Sequence, residues 1–152
     1  MKELLETWQI NQRIDLYLLE AIAPENLGDI APSKGRRVGE QFAHIHNVRL
    51  MWLKSAAPEL LEGLEKIEGE AALEKAALAN GLKASGEAIG KMVERGLETG
   101  KIKGFKPHPT AFVGYLISHE SHHRGQIILT LKLSGHMIDK KTQFGLWEWG
   151  TR

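Results

Sequence analysis

Cysteine is absent from the 152 residues, which removes disulfides, thiolate nucleophiles supplied by the protein and every Cys-ligated zinc or iron–sulfur site. Any metal held by this chain must be bound by imidazole, carboxylate, amide or water. Neither sign of charge is in excess: 20 Lys and Arg stand against 19 Asp and Glu, a formal net charge of +1. No basic footprint therefore points to nucleic acid or to an anionic membrane surface. Met1 to Trp8 lack the uninterrupted apolar stretch of a signal peptide, and no apolar run approaches the roughly 20 residues of a membrane span. A soluble cytoplasmic protein is the expectation. Convincing period-two alternation is also missing, so strands are not expected, and the length suits one domain, 1–152, with a single core.

Helical periodicity is what the chain has instead. Leu4, Leu5, Trp8, Gln12, Leu16 and Leu19 recur at three- and four-residue steps and predict a first helix over 3–23, ended by Pro24. The Pro- and Gly-bearing stretch 24–35 reads as a connector. Val38, Phe42, Ile45, Val48, Trp52 and Ala56 predict a second helix over 37–57, apolar nearly all round and so packed on several sides. A third helix is expected over 71–97. Its Gly81, Gly86 and Gly90 weaken it by roughly 1 kcal/mol each relative to alanine and so either permit close helix approach or, the reading preferred, mark low helical stability. The fourth helix is expected over 110–134, with Thr110 as its cap and Gly135 as its stop. Four helices without strands predict an all-α four-helix bundle.

Into the fourth helix is set His119-Glu120-Ser121-His122-His123-Arg124-Gly125-Gln126. At about 100° per residue, His119 and His123 lie about 40° apart, one turn above the other, on the stripe of Phe112, Leu116, Ile127 and Thr130. That is metal-chelating spacing. Two imidazoles on a core-like face each need a hydrogen-bond partner or a metal, because burying an unpaired polar group forfeits its hydration. His122 falls about 60° to the other side, at the rim. On the second helix His44 and His46 are about 200° apart and cannot both face one site, and periodicity alone does not choose between them. His108 and His136 read as solvated loop residues.

His119 to His123 also satisfies H-E-x-x-H, the pattern in which Glu activates a zinc-bound water. Leu129 stands where longer versions of that pattern carry a third His, so a zinc hydrolase is a minor alternative. Arg49 and Arg124 read as salt-bridge partners. Trp147 and Trp149 read as pins for the C-terminus, and Trp8, Trp52, Phe112 and Tyr115 as core residues that could line a pocket.

The block from Gln41 to Leu53, the block from His119 to Gln126 and the closing Leu146-Trp147-Glu148-Trp149 together resemble the DinB-like (DinB/YfiT) metalloenzyme family. The resemblance covers nearly the whole chain. It implies an up-down-down-up four-helix bundle with a three-histidine site for a divalent metal ion, zinc or nickel before iron. Carried over by position, the metal ligands are His44, His119 and His123, with His46 as the fallback for the first. The resemblance also implies a homodimer. Because the family includes bacillithiol- and mycothiol-dependent enzymes, it further implies a low-molecular-weight thiol and a small electrophilic substrate as partners, with a thiol S-transferase as the activity. A stress- or damage-associated dimeric binding protein with a structural or vestigial metal is the alternative, and a bundle whose histidines pair with Gln41, Asn47 or Gln126 and bind no metal is the plainest reading.

Overall fold

The computed structural model describes residues 1–152. Four long helices, α1 (Lys2–Glu20), α2 (Val38–Ala56), α3 (Lys75–Thr99) and α4 (Pro109–Leu133), are followed by a short α5 (Lys140–Gly145). No strand forms. Each of α1 and α2 packs against both α3 and α4. No helix is long and apolar enough to cross a membrane.

The helix ends follow local chemistry, and three of them differ from expectation. α1 stops three residues early because Pro24 biases the residue before it away from helical angles, and Ala23 is extended at φ −63°, ψ 136°. α3 begins four residues late, since 69–73 form a separate 3-10 turn, and it ends at Gly100 in the left-handed region, φ 75°. α4 is capped by His108 rather than Thr110. Pro109 takes the first helical position, where its missing N–H costs nothing, and the His108 side chain accepts the Ala111 N–H at 3.1 Å. α2 opens with Glu40 reaching back to the Arg37 N–H at 2.7 Å.

The apolar interior is two clusters rather than one. Toward one end Leu18, Phe42, Ile45, Leu78, Leu82 and Ile127 pack together; toward the other are Trp8, Leu53, Ile89, Phe112 and Leu116. On every long helix the residues between these clusters are polar and buried: Asn11, Gln12 and Asp15 on α1, Arg49 on α2, Ser85 on α3, and Glu120, His123 and Arg124 on α4. A polar layer thus crosses the bundle at mid-height.

Of Gly81, Gly86 and Gly90 on α3, close approach explains the first two. A Cβ at Gly81 would press on the Ile67 side chain and the His46 ring, and one at Gly86 would strike Gln12, whereas at Gly90 it would meet only Trp8 at 3.6 Å. Low helical stability is therefore the wrong account of Gly81 and Gly86: neighbouring side chains occupy the space. The C-terminus is pinned, but not by Trp147, which is 82% exposed. Arg152 lies 3.8 Å over the Tyr17 ring and donates to the Gly145 carbonyl, and Arg13 donates to the Arg152 carbonyl. Trp149 lines a cavity with Ile14 and Ile128.

A Cβ at Gly39 would collide with the backbone carbonyl of Ala72. Gly39→Ala is expected to lower stability by about 1–3 kcal/mol, the usual cost of overpacking, while Gly90→Ala is expected to raise it by up to about 1 kcal/mol. Paired thermal unfolding curves check both; equal effects would contradict the packing described.

Candidate metal centre

His44 projects from α2 toward the α4 pair. Its Nε2 lies 3.3 Å from His119 Nε2, which lies 3.2 Å from His123 Nε2. One ligating nitrogen from each of the three falls within 4.8 Å of the others, and no carboxylate joins the group. Tetrahedral zinc–imidazole bonds of about 2.0–2.1 Å would separate neighbouring nitrogens by roughly 3.3 Å. The His44–His119 and His119–His123 pairs present that spacing.

Hydrogen bonding cannot satisfy these rings. His123 Nδ1 is 2.6 Å from Gln41 Oε1, which only accepts, so Nδ1 carries the proton and Nε2 is a bare lone pair. His119 Nδ1 is buried with no partner. With its proton on Nε2, His119 can serve one of its two imidazole neighbours; with its proton on Nδ1, it turns a second lone pair toward that of His123 and keeps its N–H buried without a partner. A cation at the convergence would take up the lone pairs of the second arrangement, and the donor set of neutral imidazoles suits a divalent transition metal.

The rings are held neutral, the form in which imidazole can ligate. Burial, then the proximity of His119 and His44, pushes the His123 pKa down to about 4. Burial also lowers His44 and His119, helped by Arg36, His119 and His122. His46 is not a ligand in this arrangement. It is buried, with Nδ1 3.0 Å from the Gly81 carbonyl and Nε2 2.8 Å from the Glu65 carbonyl, so each nitrogen faces backbone and the neutral ring donates to one of the two. His122 is exposed at the rim, edge-on to His123 with ring centroids 5.1 Å apart. His136 pairs with Asp29 at 2.6 Å.

Glu120, the acid of the H-E-x-x-H pattern, turns away into the polar layer. Both its oxygens take the Arg49 guanidinium, Nε at 2.7 Å and NH2 at 2.9 Å, and Oε2 also accepts from Asn11. Arg49 further donates to Asp15 and to the Leu82 carbonyl, each at 2.8 Å, and Arg124 donates to Asp15 and Asn11. No member of this network is free to activate a water at the histidines, so the zinc-hydrolase alternative loses its base. Arg49 and Arg124 are the salt-bridge residues expected. Asp15 and Glu120 share the layer unequally: burial and the Glu120 charge push Asp15 up to about 7, while Arg49 holds Glu120 below its ordinary value against burial. Trp52, Phe105, Phe112 and Tyr115 form an edge-on aromatic cluster, with Tyr115 stacked beside His119 at 6.5 Å. Trp8 is elsewhere, fully buried and donating to the Gly86 carbonyl at 2.9 Å.

The fold and the site together define a class, a helical bundle in which two facing helices gather three imidazoles. The DinB family model matches residues 1–140, and the chain belongs to the DinB family. Among solved structures it is similar to a DinB-like protein from Bacillus cereus ATCC 10987, with a TM-score of 0.65 and 22% identity over 91% of this chain and 95% of that one. At that identity the likeness speaks for the fold alone. A search of curated proteins finds no match.

Two measurements test the site. Breaking a buried ion pair costs about 3–5 kcal/mol, so Glu120→Ala is expected to lose stability on that scale yet still bind metal; an unchanged stability would contradict the pairing and leave Glu120 free to act as a base. In the metal-free protein His123 is expected to keep neutral-imidazole NMR shifts at pH 6 and titrate near 4. Because its folded pKa lies below its unfolded value of 6.5, its contribution to stability is present above pH 6.5 and lost as pH falls toward 4. Asp15 acts oppositely: its raised pKa contributes stability below about pH 4 that is lost as pH rises through 7. A His123 resonance titrating at 6.5 would contradict the burial described.

Proposed function

We propose that this protein is a metal-dependent enzyme whose divalent ion, zinc or nickel before iron, is held by His44, His119 and His123, and that it transfers the sulfur of a low-molecular-weight thiol to a small electrophile. The observation that carries the reading is the convergence of three imidazole nitrogens within 4.8 Å, with His119 Nε2 3.3 Å from His44 Nε2 and 3.2 Å from His123 Nε2, and no carboxylate among them. Three protein ligands leave a position for an exogenous one, the pattern of catalytic rather than closed structural sites. A bound divalent ion would supply Lewis acidity and lower the pKa of a thiol reaching it. The chain's own residues do the rest. Gln41 fixes the His123 tautomer and ring orientation. The protein contributes no competing cysteine.

The ion pairs of the polar layer already join α1, α2 and α4, which favours a catalytic metal over a structural one. Family membership supports the up-down-down-up helix order and one domain over 1–152. The exposed Leu129, Leu133, Phe144 and Trp147 offer apolar surface for a homodimer.

Elemental analysis of untagged protein tests the reading. Near-stoichiometric metal is expected in the wild type and in His46→Ala, and its loss in His44→Ala, His119→Ala and His123→Ala. Metal removal is expected to lower Tm by only a few degrees, since a structural ion's binding energy would be folding energy. Metal-loaded protein should consume 2-mercaptoethanol with 1-chloro-2,4-dinitrobenzene faster than the metal-free form. A wild type that binds no metal ends the enzyme reading; a metal protein that neither binds nor consumes thiols ends the transferase reading.

A further inference from the structure

The loop ahead of α2 is fixed by its own backbone. Lys34 N–H donates to the Ala31 carbonyl at 2.8 Å and Val38 N–H to the Asp29 carbonyl at 2.9 Å. Lys34 and Gly35 both lie in the left-handed region, at φ 65° and 100°. For lysine that backbone is uncommon and has to be imposed by its surroundings. The Asp29 side chain ties the loop to His136, beyond α4. What the loop presents is Arg36 and Lys34, both exposed and neither in an ion pair, in contrast to Arg37, which is bound to Glu40.

Arg36 is the wall between two cavities. One, of about 360 Å³, is also lined by His44, Asn47 and Glu68; the other, of about 280 Å³, by Lys34, Gln41, Gln126 and Thr130. The first cavity reaches a metal-ligand candidate, and the second reaches the residue that orients His123. No acidic residue lines the second cavity; in the first, Glu40 is committed to Arg37 and Glu68 stands at the exposed rim, 3.9 Å from Lys66. The nearest buried carboxylates, Asp15 and Glu120, are consumed by Arg49 and Arg124. A divalent ion on three neutral imidazoles would add its charge to that of Arg36 on the wall shared with His44, where the exposed Glu68 is the one carboxylate outside an arginine pair, so positive charge remains in excess.

We propose that Arg36, with Lys34 behind it, determines specificity by receiving the carboxylate of a small ligand whose other end reaches His44, His119 and His123. The guanidinium offers a planar fork matched to a carboxylate. This inference rests on the metal-site reading above, and the test separates the two.

Cobalt(II)-loaded protein is titrated with 3-mercaptopropionate and with 2-mercaptoethanol, and binding is followed by the near-ultraviolet sulfur-to-cobalt absorption. The anionic thiol is expected to bind about tenfold tighter, the scale of one charge-assisted hydrogen bond. Arg36→Gln should bring the ratio of affinities close to one, and Arg36→Lys should keep part of the preference. Equal affinities in the wild type, or a preference that survives Arg36→Gln, would overturn the role of Arg36 and leave the metal site standing. Neither thiol binding to the cobalt protein would overturn both this inference and the thiol chemistry, and failure to bind cobalt would overturn the metal site as well. Arg36 is exposed, so an unchanged Tm confirms that each variant is folded.

Discussion

Arg49 stands at the centre of this molecule. Its fully buried guanidinium binds Glu120 on α4 through two nitrogens, Asp15 on α1 and the Leu82 carbonyl on α3, and its own stem belongs to α2. One side chain thereby touches all four long helices. A buried guanidinium is costly to desolvate and is tolerated only when its donors are matched with acceptors. That requirement sets the register of each helix against the others, because moving any of them by one turn would strand a charge. Arg124 and Asn11 complete the arrangement, so Asp15 and Glu120 are each held from two sides.

The candidate metal centre depends on this register. Glu120 follows His119 directly in sequence, and His119 and His123 stand on the same helix as Arg124. Fixing Glu120 and Arg124 inward fixes the rotation of α4 that aims the two imidazoles at His44. Arg49 lies five residues after His44 and does the same for α2. The polar layer is therefore divided: its interior is closed by charge pairing, and its edge is left with imidazoles that have no complete set of hydrogen-bond partners. Cost is confined to the place where a ligand can relieve it.

Much of this was legible in the sequence because it rests on local periodicity. Four helices, the i, i+4 spacing of His119 and His123 and the pairing roles of Arg49 and Arg124 all follow from residues a turn or two apart. What could not be read depends on distant backbone. Periodicity does not choose between His44 and His46 until the carbonyls of Glu65 and Gly81, from a loop and from α3, are seen to face the two nitrogens of His46. Gly81 and Gly86 look like helix weakeners until Ile67 and Gln12 fill the space beside them. Glu120 looks catalytic inside H-E-x-x-H until Arg49, 71 residues earlier in the chain, takes both its oxygens. The short α5 was missed because six residues are too few for a periodic signal, and Trp147 turned outward because Arg152 and Tyr17 hold the tail instead.

The central claim is that three imidazoles, and no other side chains, form the metal site. Its most direct test is a crystal structure of the zinc-loaded protein with anomalous scattering recorded on both sides of the zinc edge. The account predicts one strong anomalous peak at about 2.0–2.2 Å from Nε2 of His44, His119 and His123, with Glu120 still paired to Arg49. A peak ligated by His46 or Glu120, or no peak between α2 and α4, would contradict it.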